Sequence, residues 1–184
     1  MKDFVKRLTN ELEPLIADLP EKSRTLELKK EELENVSRFL AYVNGDVHLV
    51  GIYANQDIIV DSFDKLNTNK DEYKASCYLL ESEDNNVKNL PQYKKAYDYN
   101  LNIINYFKDL KSTLLNEIDE LEVVCKEKHL EEKYYQILSS DSPYVDEPEE
   151  FTKFLNCHNV SDEDKIELML YILNNNVAKY EERN

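Results

Sequence analysis

The sequence predicts an all-α fold: a helical bundle of about six or seven helices, one of them long. Three observations point there. Only two glycines and five prolines occur in 184 residues, so long stretches carry no helix breaker. Apolar residues recur three and four apart along almost the whole chain. Charged residues make up 33% and hydrophobic ones 41%, which suits helices with one solvated face. The length fits a single helical domain, 1–184, subdivided into N-terminal helices (1–90), a long helix (91–139) and a C-terminal helical pair (140–184).

The first helix covers 2–19, with Phe4, Val5, Leu8, Leu12, Leu15, Ile16 and Leu19 as its stripe. Pro14 kinks it or ends it near Glu13, because proline removes a backbone donor. Pro20 suits the first turn of a second helix, which stops at Asn44-Gly45; Asp46 caps the next segment. Residues 47–63 admit a small β-hairpin, but Leu49, Ile52, Tyr53, Ile59, Val60, Phe63 and Leu66 fit one helical face. Ala-Asn-Gln-Asp at 54–57 is also no tight hairpin turn, so helix is favoured. A short helix spans 69–82, with Tyr73, Cys77 and Leu80 on one face, and Glu81 to Leu90 reads as a loop.

From Pro91 the stripe Ile104, Phe107, Leu110, Leu114, Ile118, Leu121, Val124, Cys125 runs on to Tyr135 and Leu138. Unbroken from 91 to 139, this helix is roughly 70 Å long at 1.5 Å per residue, long enough for a coiled coil or an α-hairpin. Lys111 and Lys128 interrupt the stripe. After a polar loop, Pro148 opens a short helix with Phe151, Phe154 and Leu155. The last helix begins at the cap Ser161 with Asp164 at the third position, a capping box; Ile166, Met169, Leu170, Leu173, Val177 and Tyr180 are its expected buried face.

The motifs of several enzyme classes are missing. The residues three before His48, His129 and His158 are Gly45, Lys126 and Leu155, so the Glu-x-x-His pairs of di-iron bundles do not occur. Neither glycine precedes a Lys-Ser/Thr pair, and two glycines cannot build a nucleophile elbow around serine here. Glu31 with Glu34 and Glu81 with Asp84 have the spacing that helical magnesium-dependent pyrophosphohydrolases use. They are far apart in sequence, and the second pair falls in the expected loop, so solvated helix surface is the favoured reading. Cys157-His158 reads as a connector with a half-buried thiol rather than as a zinc or nucleophile site, since adjacent residues do not chelate well. No catalytic residue, metal ligand or cofactor is assigned.

Charge and cysteine set the expected surroundings. The net charge of -15 opposes direct binding to nucleic acid or anionic membrane. No apolar run approaches a membrane span, and Cys77, Cys125 and Cys157 form no disulfide framework, so a cytoplasmic location is expected. Lysine far outnumbers arginine, as in AT-rich genomes, which points towards a low-GC bacterium, its phage or another mobile element, or an archaeal virus.

Part of the acidity has local causes. Acids at helix starts are favoured by the macrodipole, and Glu34 with Arg38 and Glu122 with Lys126 have the i,i+4 spacing of surface pairs. The remainder gathers near Asp141, Asp146, Glu147, Glu149 and Glu150, with Asp162, Glu163 and Asp164 close by in sequence. Tyr93, Tyr97 and Tyr99 cluster before the long stripe, and tyrosine is enriched at interfaces. These eleven residues are the expected partner-binding set. They motivate a non-enzymatic helical interaction or assembly protein, with a basic protein partner or self-association. The alternative is an acidic inhibitor, a nucleic-acid mimic or immunity-type protein that blocks a basic site.

Overall fold

A computed structural model describes residues 2–53, 62–140 and 144–181. Among the described residues the chain is all-α: eight helices and a further helical stretch at 62–65 occur, no strand does, and one helix is much longer than the rest. Helix α1 spans Lys2–Ile16 and holds Pro14 inside its last turn. It ends two residues beyond that proline, where few hydrogen bonds remain to be lost. Helix α2, Leu19–Val43, takes Pro20 in its first turn and stops at Asn44 and Gly45, whose φ of 44° and 81° are left-handed.

Asp46 then accepts the His48 N–H at 2.9 Å and starts α3, Val47–Tyr53. The β-hairpin admitted for 47–63 is therefore not borne out. Val47 and Val50, three apart, are both buried, which is a helical and not an alternating pattern. Residues 62–65 are helical too, and the rest of the second hairpin arm lies outside the described residues. In α4, Lys70–Leu80, the cap Asn69 accepts the Asp71 and Glu72 N–H groups at 3.0 and 3.1 Å.

The expected loop 81–90 holds one more helix, the four-residue α5, Asn85–Lys88, because Asp84 caps it by accepting the Asn86 N–H at 2.8 Å. Helix α6 is Pro91–Ser139, the continuous helix the sequence outlines. Helix α7, Pro148–Cys157, opens on its proline. Helix α8, Asp162–Glu181, opens on the capping box: Ser161 Oγ accepts the Asp164 N–H at 3.1 Å and donates to Asp164 Oδ2 at 2.7 Å.

Two compact units form. The first comprises 1–24 and 122–184, the second 25–121. The second unit buries Val36, Phe39 and Val43 of α2, Val47 and Val50 of α3, Phe63, Tyr73 of α4, and Ile103, Ile104, Phe107 and Leu114 of α6. The Phe39 and Phe107 rings meet at 4.8 Å. Inside this core Tyr73 Oη donates to Asn100 Oδ1 at 2.8 Å, and Asn100 Nδ2 donates to the Val47 carbonyl at 2.7 Å. That chain satisfies the polar atoms of a fully buried asparagine.

The first unit buries Leu8 and Leu12 of α1, Tyr134 and Leu138 of α6, Val145, then Phe151, Phe154 and Leu155 of α7, Val160, and Leu168 and Ile172 of α8. Tyr134 packs on Phe151 and Phe154 at 5.0 and 4.4 Å between centroids. Lys128, which interrupts the apolar stripe, reaches the end of α1: its ammonium lies 2.7 Å from Asp18 Oδ1 and donates to the Leu15 carbonyl. A cation on the last carbonyls of a helix is favourable for its dipole.

Candidate functional site

The stripe at 101–125 is covered by the chain itself. Ile104, Phe107, Leu114, Ile118 and Cys125 are buried, and Leu110, Leu121 and Val124 are half-buried. It offers no open docking seam, so the exposed apolar surface must be sought elsewhere.

The expected acids have local tasks. Asp146 and Glu147 converge on Lys133, with Oδ1 at 3.5 Å and Oε2 at 2.9 Å from its Nζ. Lys133 holds the Glu147 carboxyl below the usual carboxylate range, and Glu147 holds the Lys133 ammonium above its ordinary value. Glu149 and Glu150 are exposed in the first turn of α7. Asp162 pairs with Lys165 at 2.9 Å, Asp164 closes the capping box, and Glu163 is exposed beside them. Asp141 lies outside the described residues.

Nor is the acid excess confined to this stretch. The first unit carries 20 acids against 12 bases and the second 18 against 11, so both are similarly negative. Of the i,i+4 pairs, Arg38 Nη2 meets Glu34 Oε1 at 2.6 Å.

The expected tyrosines belong to the second unit, and the acids at 146–164 to the first. Tyr97 is exposed, whereas Tyr93 and Tyr99 are half-buried. Tyr99 packs 6.4 Å from Tyr73 and donates to Glu72 Oε2 at 3.3 Å. Glu72 also pairs with Lys95, which together with Tyr99 draws its carboxyl below the ordinary range. Tyr99 is thus engaged within its own unit.

The first unit has a groove that sequence reasoning did not find. It lies between the 123–133 stretch of α6 and α7, encloses about 940 Å³, and has Val123, Leu130 and Phe154 as its apolar lining. Spacing builds it. Val123, Lys126 and Leu130 follow three and four apart on one face of α6, as do Glu150, Lys153, Phe154 and Cys157 on α7. Tyr134 and Phe151 turn inwards and anchor both walls. Lys126 and Lys153 make no ion pair among the described residues. Cys157 is exposed, and the His158 ring rests 4.5 Å from Phe154, so both members of the Cys-His dipeptide border the groove.

The outer face of α8 is the second feature, and it corrects the sequence reading. Ile166, Leu170 and Leu173, expected to be buried, are 62%, 55% and 55% exposed. Leu168 and Ile172 are buried instead, with Met169 and Tyr171 half-buried. The helix is apolar on two sides, and the shorter stripe wins the core because it meets Phe151, Phe154 and Leu155. The side chains of Val177 and Tyr180 lie outside the described residues. At 100° per residue, the exposed stripe is centred about 150° around the helix from the buried one.

Among the described residues no group of three His, Cys, Asp or Glu side chains is placed to hold a metal ion, and no helix is long and apolar enough to cross a membrane. Neither a protein-family model, nor a curated protein sequence, nor a solved structure matches this chain.

Proposed function

We propose that the chain is a non-enzymatic helical protein that acts by binding protein, and that the groove between α6 and α7 is its docking site. The groove itself carries this reading: a trough about 940 Å³ in volume, with exposed Val123 and Leu130 on its apolar strip and charged side chains of both signs, Lys126 and Lys153 beside Glu127, Glu131 and Glu150, along its edges. Grooves of this kind accept an amphipathic helix through anchors spaced three and four apart. A role in assembly, in a phage or another mobile element, fits the lysine-rich, arginine-poor composition. The acidic-inhibitor reading draws less support, because Asp146, Glu147, Asp162 and Asp164 are each engaged by a neighbour and no dense uncompensated ridge results.

The test compares affinity purifications from the cell that makes the protein. Leu130→Glu places a charge on the lining, while Tyr78→Ala alters the exposed surface of the other unit. The proteins retained by the unaltered chain should be lost with Leu130→Glu and kept with Tyr78→Ala. An unchanged set with Leu130→Glu, in a chain that keeps its helical circular dichroism, contradicts the reading.

A further inference from the structure

We infer that two copies of the chain meet through the outer face of α8, each α8 packing antiparallel against the other about a two-fold axis. This face is separate from the groove, and the inference needs nothing of the groove's docking role.

The spacing is that of a two-helix seam. Ile166, Leu170 and Leu173 are exposed and follow one another at intervals of four and three. Val177 and Tyr180 take the next two positions of the same alternation in the sequence, and α8 is helical as far as Glu181. Apolar residues alternating three and four apart let helices interlock knobs into holes, so a face of this kind fits another with the same spacing. The unit that carries α8 does not cover it. Leu168 and Ile172 hold the opposite side of the helix in the core.

Charge decides which partner. From Leu168 to Ala178, eleven residues carry no acid and no base, the longest such run in a chain one-third of whose residues are charged. Met169, Asn174 and Asn176, which flank the seam positions, fall within it. A basic partner, which the net charge of -15 would attract, finds no carboxylate along this run. A second copy is repelled wherever acids face acids, and along this run that repulsion is least. Charge also sets the direction. The half Asp162–Tyr171 holds four acids and one base, and the half Ile172–Glu181 holds one of each. A parallel pair would set the two acidic halves side by side. An antiparallel pair sets each acidic half against a neutral one, aligns the helix dipoles favourably, and makes the self-complementary contact of a two-fold dimer.

One helix from each copy is a small contact beside the roughly 800 Å² per partner of a standard interface, so the dimer should be weak, with a dissociation constant of about 100 µM or below. Sedimentation equilibrium of the full chain tests this in about 0.15 M salt, which screens repulsion beyond roughly 8 Å. The mass should rise from 21.8 kDa at about 5 µM chain to well past halfway towards twice that value at about 500 µM. Leu170→Glu and, separately, Ile166→Asn change exposed residues, so both should keep the helical circular dichroism and remain monomers at the higher concentration. Leu130→Glu, in the groove, should associate as the unaltered chain does. Spin labels on the exposed Cys157, four residues before the cap of α8, should lie about 30 Å or more apart in the dimer, the length of that helix.

An unaltered chain that stays at 21.8 kDa at about 500 µM overturns the inference. So does a dimer that survives Leu170→Glu or is broken by Leu130→Glu, and so do spin labels that lie side by side. The docking role of the groove is judged separately, by the proteins that Leu130→Glu loses.

Discussion

Ile166 and Leu168 stand two residues apart on α8 and face opposite ways: Leu168 is 1% exposed and Ile166 is 62% exposed. The consequence for stability is direct. Leu168→Ala removes a side chain packed in the first unit's core and should cost about 2–5 kcal/mol. Ile166→Ala should stay within about 0.5 kcal/mol of the unaltered chain, as exposed substitutions do. Urea unfolding of both variants checks the orientation of the helix, and equal losses contradict it.

The buried chain Tyr73–Asn100–Val47 makes a second prediction. Asn100→Ala removes both the bond it accepts from the Tyr73 hydroxyl and the bond it donates to the Val47 carbonyl, and should cost about 1–3 kcal/mol. Tyr73→Phe removes one bond and should cost less, about 1 kcal/mol. Because the two side chains share a bond, the double variant should lose less than the sum of the single losses. Additive losses would show that the bond contributes nothing.

Three carboxyls fix the response to acid. Asp18, Glu72 and Glu147 are each held below the ordinary carboxylate range, first of all by Lys128, Lys95 and Lys133 respectively. With folded values below unfolded ones, the unfolded chain takes up protons first as pH falls. The stabilisation is therefore fully present above the ordinary carboxylate range, including neutral pH, and is lost as pH falls below that range through the lowered folded values. Lys95 and Lys133 are raised, so their share persists at neutral pH and is lost as pH rises through their folded values above 10.5. Urea midpoints from pH 3 to pH 7, compared with those of Lys133→Met, should show a smaller acid-side slope in the variant. Identical slopes would remove Lys133 from this account.

The three cysteines should separate by reactivity. Cys157 is exposed, Cys125 is buried, and burial pushes the half-buried Cys77 thiol above its ordinary value. A thiol reagent at neutral pH and low protein concentration should modify Cys157 rapidly, and all three thiols only after unfolding. Fast modification of Cys77 in the native chain contradicts its environment.

The helices were legible where caps and breakers are explicit. Pro91 and the stripe through Leu138 mark the ends of α6, Asn44-Gly45 stops α2, and Ser161 with Asp164 opens α8. The α5 turn is hidden in the sequence because its composition is that of a loop, although Asp84 is a good cap. The outward face of α8 was unreadable for another reason. Periodicity finds stripes but not which of two stripes meets the core, and Ile166–Leu170–Leu173 is the longer one. The groove was hidden likewise, since Val123 and Leu130 lie beside the main stripe of α6 and gain meaning only when α7 packs alongside. Eleven residues were expected to bind a partner, and of these the groove lining includes Glu150.

Cys157 borders the groove and reports on its occupancy without any substitution. The most direct measurement is its alkylation rate, under excess reagent, with and without the proteins that the unaltered chain retains, alongside Leu130→Glu. A protein seated in the groove should slow the reaction of the unaltered chain and leave Leu130→Glu unaffected. Equal rates for the unaltered chain with and without those proteins would contradict the account.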